Sequence, residues 1–276
     1  MKKRFKILGL VFSSSIILAA CDGNPEASKK EVQFGEMMNH GKKVSFMINN
    51  QDDDINHPTK DSYITSYIFS DKGNVTVYNG DSTSKLSDVQ EKSTKDILKQ
   101  AKEEDKEYFK DSKKGNKNDL EDYIEQNKSI INSEHEEQDL KDRRTKENEN
   151  YKNDISKLEK IEYKKPEERD LKIKVNEDET GNHASEERMY VSGNEFNEIK
   201  RQNDNKIEYI NKPEELNNLY YEFDQQGNPE EVYDNRYAYL TDGEGLTLAT
   251  KVSDKVEKTS FDKPDSDFID VANEDE

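Results

Sequence analysis

The sequence predicts an α+β protein: small antiparallel sheets interrupted by a long, highly charged helical middle segment. Three observations carry that expectation. Short runs of β-branched and aromatic residues, bounded by Asp, Gly and Asn, lie toward both ends of the chain. Between them, over residues 84–165, apolar residues recur at helical spacing in a background of Lys, Glu, Asp and Asn. Only 30% of the 276 residues are hydrophobic and 38% are charged, with no tryptophan, a balance that disfavours one large core.

The elements follow in order. Residues 32–83 form an N-terminal β-rich part. Lys43-Val44-Ser45-Phe46-Met47-Ile48 is a short strand, and Tyr63–Phe69 with Asn74–Tyr78 flank Asp71-Lys72-Gly73-Asn74, a hairpin signal. Over residues 84–165, Ser87-x-x-Gln90 has capping-box spacing before a helix carrying Ile97, Leu98, Ala101, Tyr108 and Phe109, with Gly115 as its stop. A second helix starts at Asn118 and buries Leu120, Tyr123, Ile124, Ile130 and Ile131. From Asn132 to Asn150, Leu140 is the only aliphatic residue, after which Tyr151, Ile155, Leu158 and Ile161 restore a stripe. This pattern predicts an antiparallel helical hairpin or one stalk; the failing heptad argues against a sustained coiled coil.

Residues 166–262 form a C-terminal α+β part. Leu171-Lys172-Ile173-Lys174-Val175 alternates as a half-buried strand should and can pair with Met189-Tyr190-Val191. Ser192-x-x-Glu195 predicts a short helix carrying Phe196 and Ile199, and Pro213 opens another with Leu216, Leu219 and Tyr220. Tyr237–Leu240 and Leu246–Val252 flank Asp242-Gly243-Glu244-Gly245 as a second hairpin. Residues 263–276 read as a frayed acidic tail. Asp71–Asn74, Asp178–Asn182 and Asp224–Asn228 recur as three turns of similar chemistry, because Asp caps the backbone two residues on and Gly and Asn tolerate positive φ. The two β regions can share one sheet, with the helices as an insertion.

The first 21 residues have a different character. Lys2, Lys3, Arg4 and Lys6 precede an apolar run from Ile7 to Leu18, too short for an ordinary membrane-spanning helix, and then two alanines and Cys21. Leu18-Ala19-Ala20-Cys21 resembles the bacterial lipobox. The resemblance implies that residues 1–20 are a signal peptide and that the Cys21 sulfur takes a diacylglyceryl group. It further implies a chain lipid-anchored at the extracytoplasmic face of a cell membrane, two acyl chains being enough for stable tethering. Residues 21–31, small and polar, then read as a lipidated flexible tether. The Lys-, Asn- and Glu-rich vocabulary points to a Gram-positive source. Cys21 is the only cysteine, so an acylated chain can form no disulfide.

The formal net charge is −19, and losing the four positive charges of the leader leaves −23. Such a chain is not a nucleic-acid binder, and anionic lipid should repel it so that it stands off its own membrane. The nearest metal-site match is a calcium-loop spacing: Asn176, Asp178, Thr180, Gly181 and Glu187 fall at positions 1, 3, 5, 6 and 12. Asn at position 1, polar His183 at position 8 and flanking strands rather than helices count against it. Gln51-Asp52-Asp53-Asp54 with His57 is a second acidic cluster, read as a solvated loop. His40, His57, His135 and His183 form no ligand pair, and the nucleophile-elbow, P-loop and dinucleotide motifs are absent. Tyr220, Tyr221, Tyr233, Tyr237, Tyr239 and Phe223 suit core packing better than a recognition surface. The sequence therefore predicts a non-enzymatic surface protein that binds a protein partner. A small-ligand or cation-binding lipoprotein, with calcium as the one cofactor suggested, is the alternative; an envelope hydrolase ranks third.

Overall fold

The computed structural model describes residues 24–50, 55–201 and 204–272, with the side chains of 198–206 left out. A 3-10 turn at Glu26–Ser28 leads into β1 (Glu31–Gln33), α1 (Phe34–Asn39), β2 (Lys42–Asn49), β3 (Tyr63–Asp71) and β4 (Asn74–Asn79). The helical segment comprises α2 (Leu86–Val89), α3 (Thr94–Ile131) and α4 (Gln138–Leu158). Then follow β5 (Arg169–Asp170), β6 (Ile173–Glu177), β7 (Ala184–Met189), β8 (Glu195–Arg201), β9 (Asp204–Ile210) and α5 (Pro213–Leu216). The chain closes with β10 (Tyr221–Phe223), β11 (Gln225–Val232), β12 (Asn235–Thr241), β13 (Leu246–Val252), β14 (Lys258–Ser260) and β15 (Asp270–Val271).

Both β regions do share a sheet. Its seven strands run in the order β11-β12-β13-β2-β3-β4-β5, every neighbour antiparallel. Side chains alternate between its faces as the pleat requires. Met47, Ala238, Leu240 and Leu248 enter one core with α1; Phe46, Ile48, Tyr237, Tyr239 and Ala249 enter another under α2 and α3. Each fully buried large apolar side chain contributes about 1.5–3 kcal/mol of burial. The β3–β4 hairpin turns where its sequence says it should: Lys72 and Gly73 have φ of 51° and 81°, the paired left-handed residues of a type I′ turn.

A second sheet, β10-β7-β6-β15, covers the α1 face of the first. Its β15 runs parallel to β6, with Asp270 opposite Lys174 and Val271 opposite Val175, so the expected frayed tail contains a two-residue strand, after which the Ala272 N–H donates to Val175 O. The expected tether is also folded from Asn24 onward. Asn24 is 2% exposed, its Nδ2 donating to Met37 O at 2.7 Å, and Ala27 is fully buried in the core. The helix expected after Ser192 is instead β8, paired with β9 from Glu195 opposite Ile210 to Arg201 opposite Asp204. The third Asp-Gly-Asn recurrence is not a turn either: Gln225–Asn228 lies in β11, where the register slips between Gly227 and Glu230. The helix opened by Pro213 ends at Leu216, short of Leu219 and Tyr220.

Gly115 does not stop a helix. It lies inside α3, a 38-residue helix whose cap is Ser93, the Oγ accepting from Asp96 N–H. Nothing stands within 4 Å of where a Gly115 side chain would begin, so the residue faces outward, and its cost of about 1 kcal/mol is absorbed by the length of the helix. α3 and α4 form an antiparallel hairpin. Its seam holds Leu120, Ile124 and Leu158, the Tyr123–Tyr151 ring pair at 5.6 Å, and an Asn127 Nδ2–Asn148 Oδ1 hydrogen bond of 3.0 Å. A buried amide pair of this kind fixes the register of two helices.

Two buried carboxylates dock α3 on the sheet. Glu104 accepts from Tyr67 Oη (2.9 Å), Ser84 Oγ (2.7 Å) and Gln100 Nε2 (2.7 Å). Asp105 accepts from the Asn79 N–H at 2.9 Å and the Tyr163 hydroxyl at 2.8 Å. Thr94 sits by Val44, Phe69 and Thr76, whereas Asp105 sits at Asn79, the last residue of β4. Eleven helical steps rise about 16 Å, and three strand steps from Thr76 to Asn79 cover about 10 Å. The helix thus crosses β4 from beside Thr76 to its last residue and leaves the sheet at Asp105. Its remaining 26 residues, to Ile131, extend about 39 Å beyond. The β8–β9 hairpin braces the exit, with Phe196 and Tyr209 against Phe109 at 5.4 and 5.2 Å. Among the described residues no helix is long and apolar enough to cross a membrane.

Candidate functional site

A cleft of about 780 Å³ opens between the β1–β14 pair, the β6–β7 turn and the segment after β14. The parallel register of β1 with β14 sets Glu31 opposite Lys258 and Gln33 opposite Ser260. Glu31 Oε1 accepts from Lys258 Nζ at 2.8 Å and from the Ser260 hydroxyl, and the two bonds, Lys258 foremost, hold its pKa below the usual range. Gln33 Nε2 donates to Phe261 O at 2.6 Å. Much of the polar lining is thereby already paired across the strands.

Asp262 closes the floor. It is almost fully buried, and its Oδ2 accepts from Gly35 N–H at 2.6 Å and Oδ1 from Glu36 N–H at 3.1 Å, amides of the first turn of α1. Its own N–H donates to Glu187 Oε2 at 2.8 Å, and Glu187 is fully buried on β7. The two carboxyl groups lie close enough in the core for each to shift the other's titration. Burial raises both; Asp262, helped by the two α1 amides, rises only to about 6, whereas Glu187 is pushed well above the carboxylate range by burial and then by Asp262's charge. Of the two, Glu187 is the one whose surroundings favour the protonated form. Gly35 is required here, since a Cβ would lie 2.7 Å from both Asp262 Oδ2 and Ile173 Cδ1. The pair is a clasp joining β7, the chain after β14 and α1.

The structure separates the residues of the calcium-loop spacing. Asp178 and Thr180 stay together in the β6–β7 turn, Asp178 Oδ1 accepting from the Thr180 N–H (3.0 Å) and hydroxyl (2.6 Å). The Thr180 hydroxyl is the main cause holding Asp178's pKa low. Gly181 has φ +69°, as a turn glycine should, and His183 Nδ1 lies 3.5 Å from Asp178. Asn176 donates sideways to Glu186, and Glu187 is drawn into the clasp with Asp262. The expected bidentate ligand thus faces the core instead of the turn, because strand alternation, not loop spacing, decides its direction. Among the described residues no group of three or more His, Cys, Asp or Glu side chains is placed to hold a metal ion. Gln51 to Asp54 and Cys21 lie outside the described residues.

Of the tyrosine group, Phe223, Tyr237 and Tyr239 are core residues and Tyr221 is half-buried. Tyr220 and Tyr233 are exposed, Tyr233 at 64% on the β11–β12 turn with φ 55°. Sequence reading missed Asp262, Gly35, Asp105 and Tyr163, which sit in no motif and meet across long stretches of chain. No family model matches the chain, and neither the curated proteins nor the solved structures contain a match.

Proposed function

We propose that this chain is a non-enzymatic lipoprotein, tethered through Cys21 at the extracytoplasmic face, that holds its helical hairpin away from the membrane as a protein-binding face. The observation that carries the reading is the course of α3. It starts beside Val44 and Thr76 and passes Asn79 at Asp105, so residues 106–131 and α4 stand beyond the end of the sheet opposite Asn24. Asn24 packs on Met37 and Gly41, at the other end of the central strands. The paired, sealed state of Glu187 and Asp262 supports a binding rather than a catalytic role.

The test is photo-cross-linking on intact cells from Glu136 and Arg143 on the hairpin, with Cys21→Ala as the release control. A discrete protein adduct from the hairpin positions, absent from Lys255, is expected. No adduct from either hairpin position at normal surface abundance would refute the binding face. Retention of the Cys21→Ala chain in detergent-dependent fractions would refute the anchor. The cleft supports a second reading, a polar small ligand between the β6–β7 turn and Lys258. A concentration-dependent rise in Tm with calcium or a metabolite panel would favour it.

A further inference from the structure

We propose that the end of the folded domain formed by residues 25–30, 39–42, 71–74 and 253–257 rests on the lipid headgroups of the membrane carrying the anchor. This rests on the lipid-anchor reading and adds an orientation to it. The first argument is length. Only Asp22 and Gly23 separate Cys21 from Asn24, and three Cα steps reach about 11 Å at full extension. Asn24 belongs to the fold: its side chain donates to Met37 O, accepts from Glu26 N–H at 3.0 Å and lies against Gly41. The Lys72 N–H donates to Gly41 O at 3.3 Å and the Ser253 N–H to Ala27 O at 3.0 Å, so these loops share one end of the domain. An acylated Cys21 in the bilayer interface holds that end within about one Debye length of the headgroups.

Charge distinguishes this end from the hairpin. These loops carry five lysines, Lys29, Lys30, Lys42, Lys72 and Lys255, against the four carboxylates of Glu26, Asp71, Asp254 and Glu257. Three of the lysines are paired within the set: Lys29 with Glu26, Lys30 with Glu257 at 2.9 Å and Lys42 with Asp71 at 3.5 Å. Among the described residues Lys72 and Lys255 have no ion pair and are exposed. The outer hairpin, residues 119–149, instead carries eleven carboxylates against five basic side chains. Repulsion predicted from the average charge therefore falls mainly on the hairpin, while the end beside Asn24, with Glu36 and Asp170 also beside these loops, is near neutral and exposes Lys72 and Lys255. The domain stands on its loops with α3 and α4 directed outward.

The test uses the full lipidated chain in vesicles of phosphatidylglycerol and phosphatidylcholine bearing a nitroxide headgroup. A thiol fluorophore is placed at Lys255→Cys or at Glu136→Cys, each the only free thiol when Cys21 is acylated. Loss of emission at position 255 and none at 136 is expected, with the loss relieved by ten Gly/Ser residues inserted after Gly23. Vesicle-bound protein quenched equally, or not at all, at both positions would overturn the docking and leave the anchor standing. Protein that does not partition into vesicles would overturn the anchor reading and the docking with it.

Discussion

Asp105→Asn should stabilise the protein at neutral pH. Asp105 is buried beneath the point where α3 leaves the sheet, and burial raises its pKa from 3.8 to about 6 against the opposing pull of the Asn79 and Tyr163 hydrogen bonds. The folded state thus holds the proton more tightly than the unfolded chain. Stability from this group is complete below about pH 4, falls as pH rises through 6, and is constant above. Roughly two pKa units at 1.36 kcal/mol each set the loss at about 3 kcal/mol. Asparagine mimics the protonated acid: Oδ1 accepts from Asn79 N–H, and Nδ2 donates to a Tyr163 hydroxyl that reorients to receive it. In urea titrations at pH 8 the variant should gain about 2–3 kcal/mol, or roughly 5–10 °C in Tm. At pH 4.5 the two proteins should agree within about 1 kcal/mol. A variant destabilised equally at both pH values would show that the ionised carboxylate, with its two donors, is a net stabilising element, and the reasoning would be wrong.

Three further outcomes follow from other buried contacts. Glu187→Gln removes a buried carboxyl whose pKa burial raises, so its Tm should vary less between pH 5 and 8 than that of the natural chain; an unchanged pH profile would refute the raised pKa of Glu187. Gly35→Ala drives a Cβ to 2.7 Å from Asp262 Oδ2 and Ile173 Cδ1, and denaturant unfolding should show a loss of about 1–3 kcal/mol. Asn148→Ala leaves the buried Asn127 amide without its 3.0 Å partner, at a cost of about 1–3 kcal/mol. Hydrogen exchange should localise that loss to the outer halves of α3 and α4, with the seven-stranded sheet unaffected.

What was legible in the sequence was local. The β3–β4 and β12–β13 hairpins and the β6–β7 pairing are set by alternation and by turn residues within a few positions, so the chain states them directly. The helical hairpin was visible in its stripe of Leu120, Ile124 and Leu158. The misreadings came where a tertiary contact outweighs a local signal. Ser192-x-x-Glu195 is a sound helix start, yet Phe196 goes to Phe109 and Tyr209, and pairing with β9 decides the backbone. Gly115 is a sound stop, yet the flanking seam carries the helix through it. The residues of the calcium-loop spacing are separated for a related reason: counting positions ignores that Glu187 shares the inward face of β7 with Met189.

The segments that composition marks as loose ends are the ones that close the domain. Ala27 binds Ser253, Gly35 and Glu36 bind Asp262, β1 pairs with β14, and β15 pairs with β6. Most of these contacts join residues more than 220 positions apart, where one sequence offers no signal of proximity. They also tie Asn24, three residues after the proposed lipidation site, to the central sheet. Asn24 is fixed to α1, α1 packs on the inner face of β2 and β3, and α3 is locked along β4 by Glu104 and Asp105. On the proposed lipid-anchor reading, a tilt of the domain at the membrane would be carried from Asn24 to the hairpin, whose outer end lies about 39 Å beyond the sheet. In a flexible-tether protein, lengthening the linker would leave the binding geometry unaffected. Here Gly/Ser residues inserted after Gly23 should lower cross-linking from Glu136 to a membrane-fixed partner while leaving Tm unchanged. An insertion that changes neither would mean the hairpin finds its partner by free diffusion of the domain, without an imposed orientation.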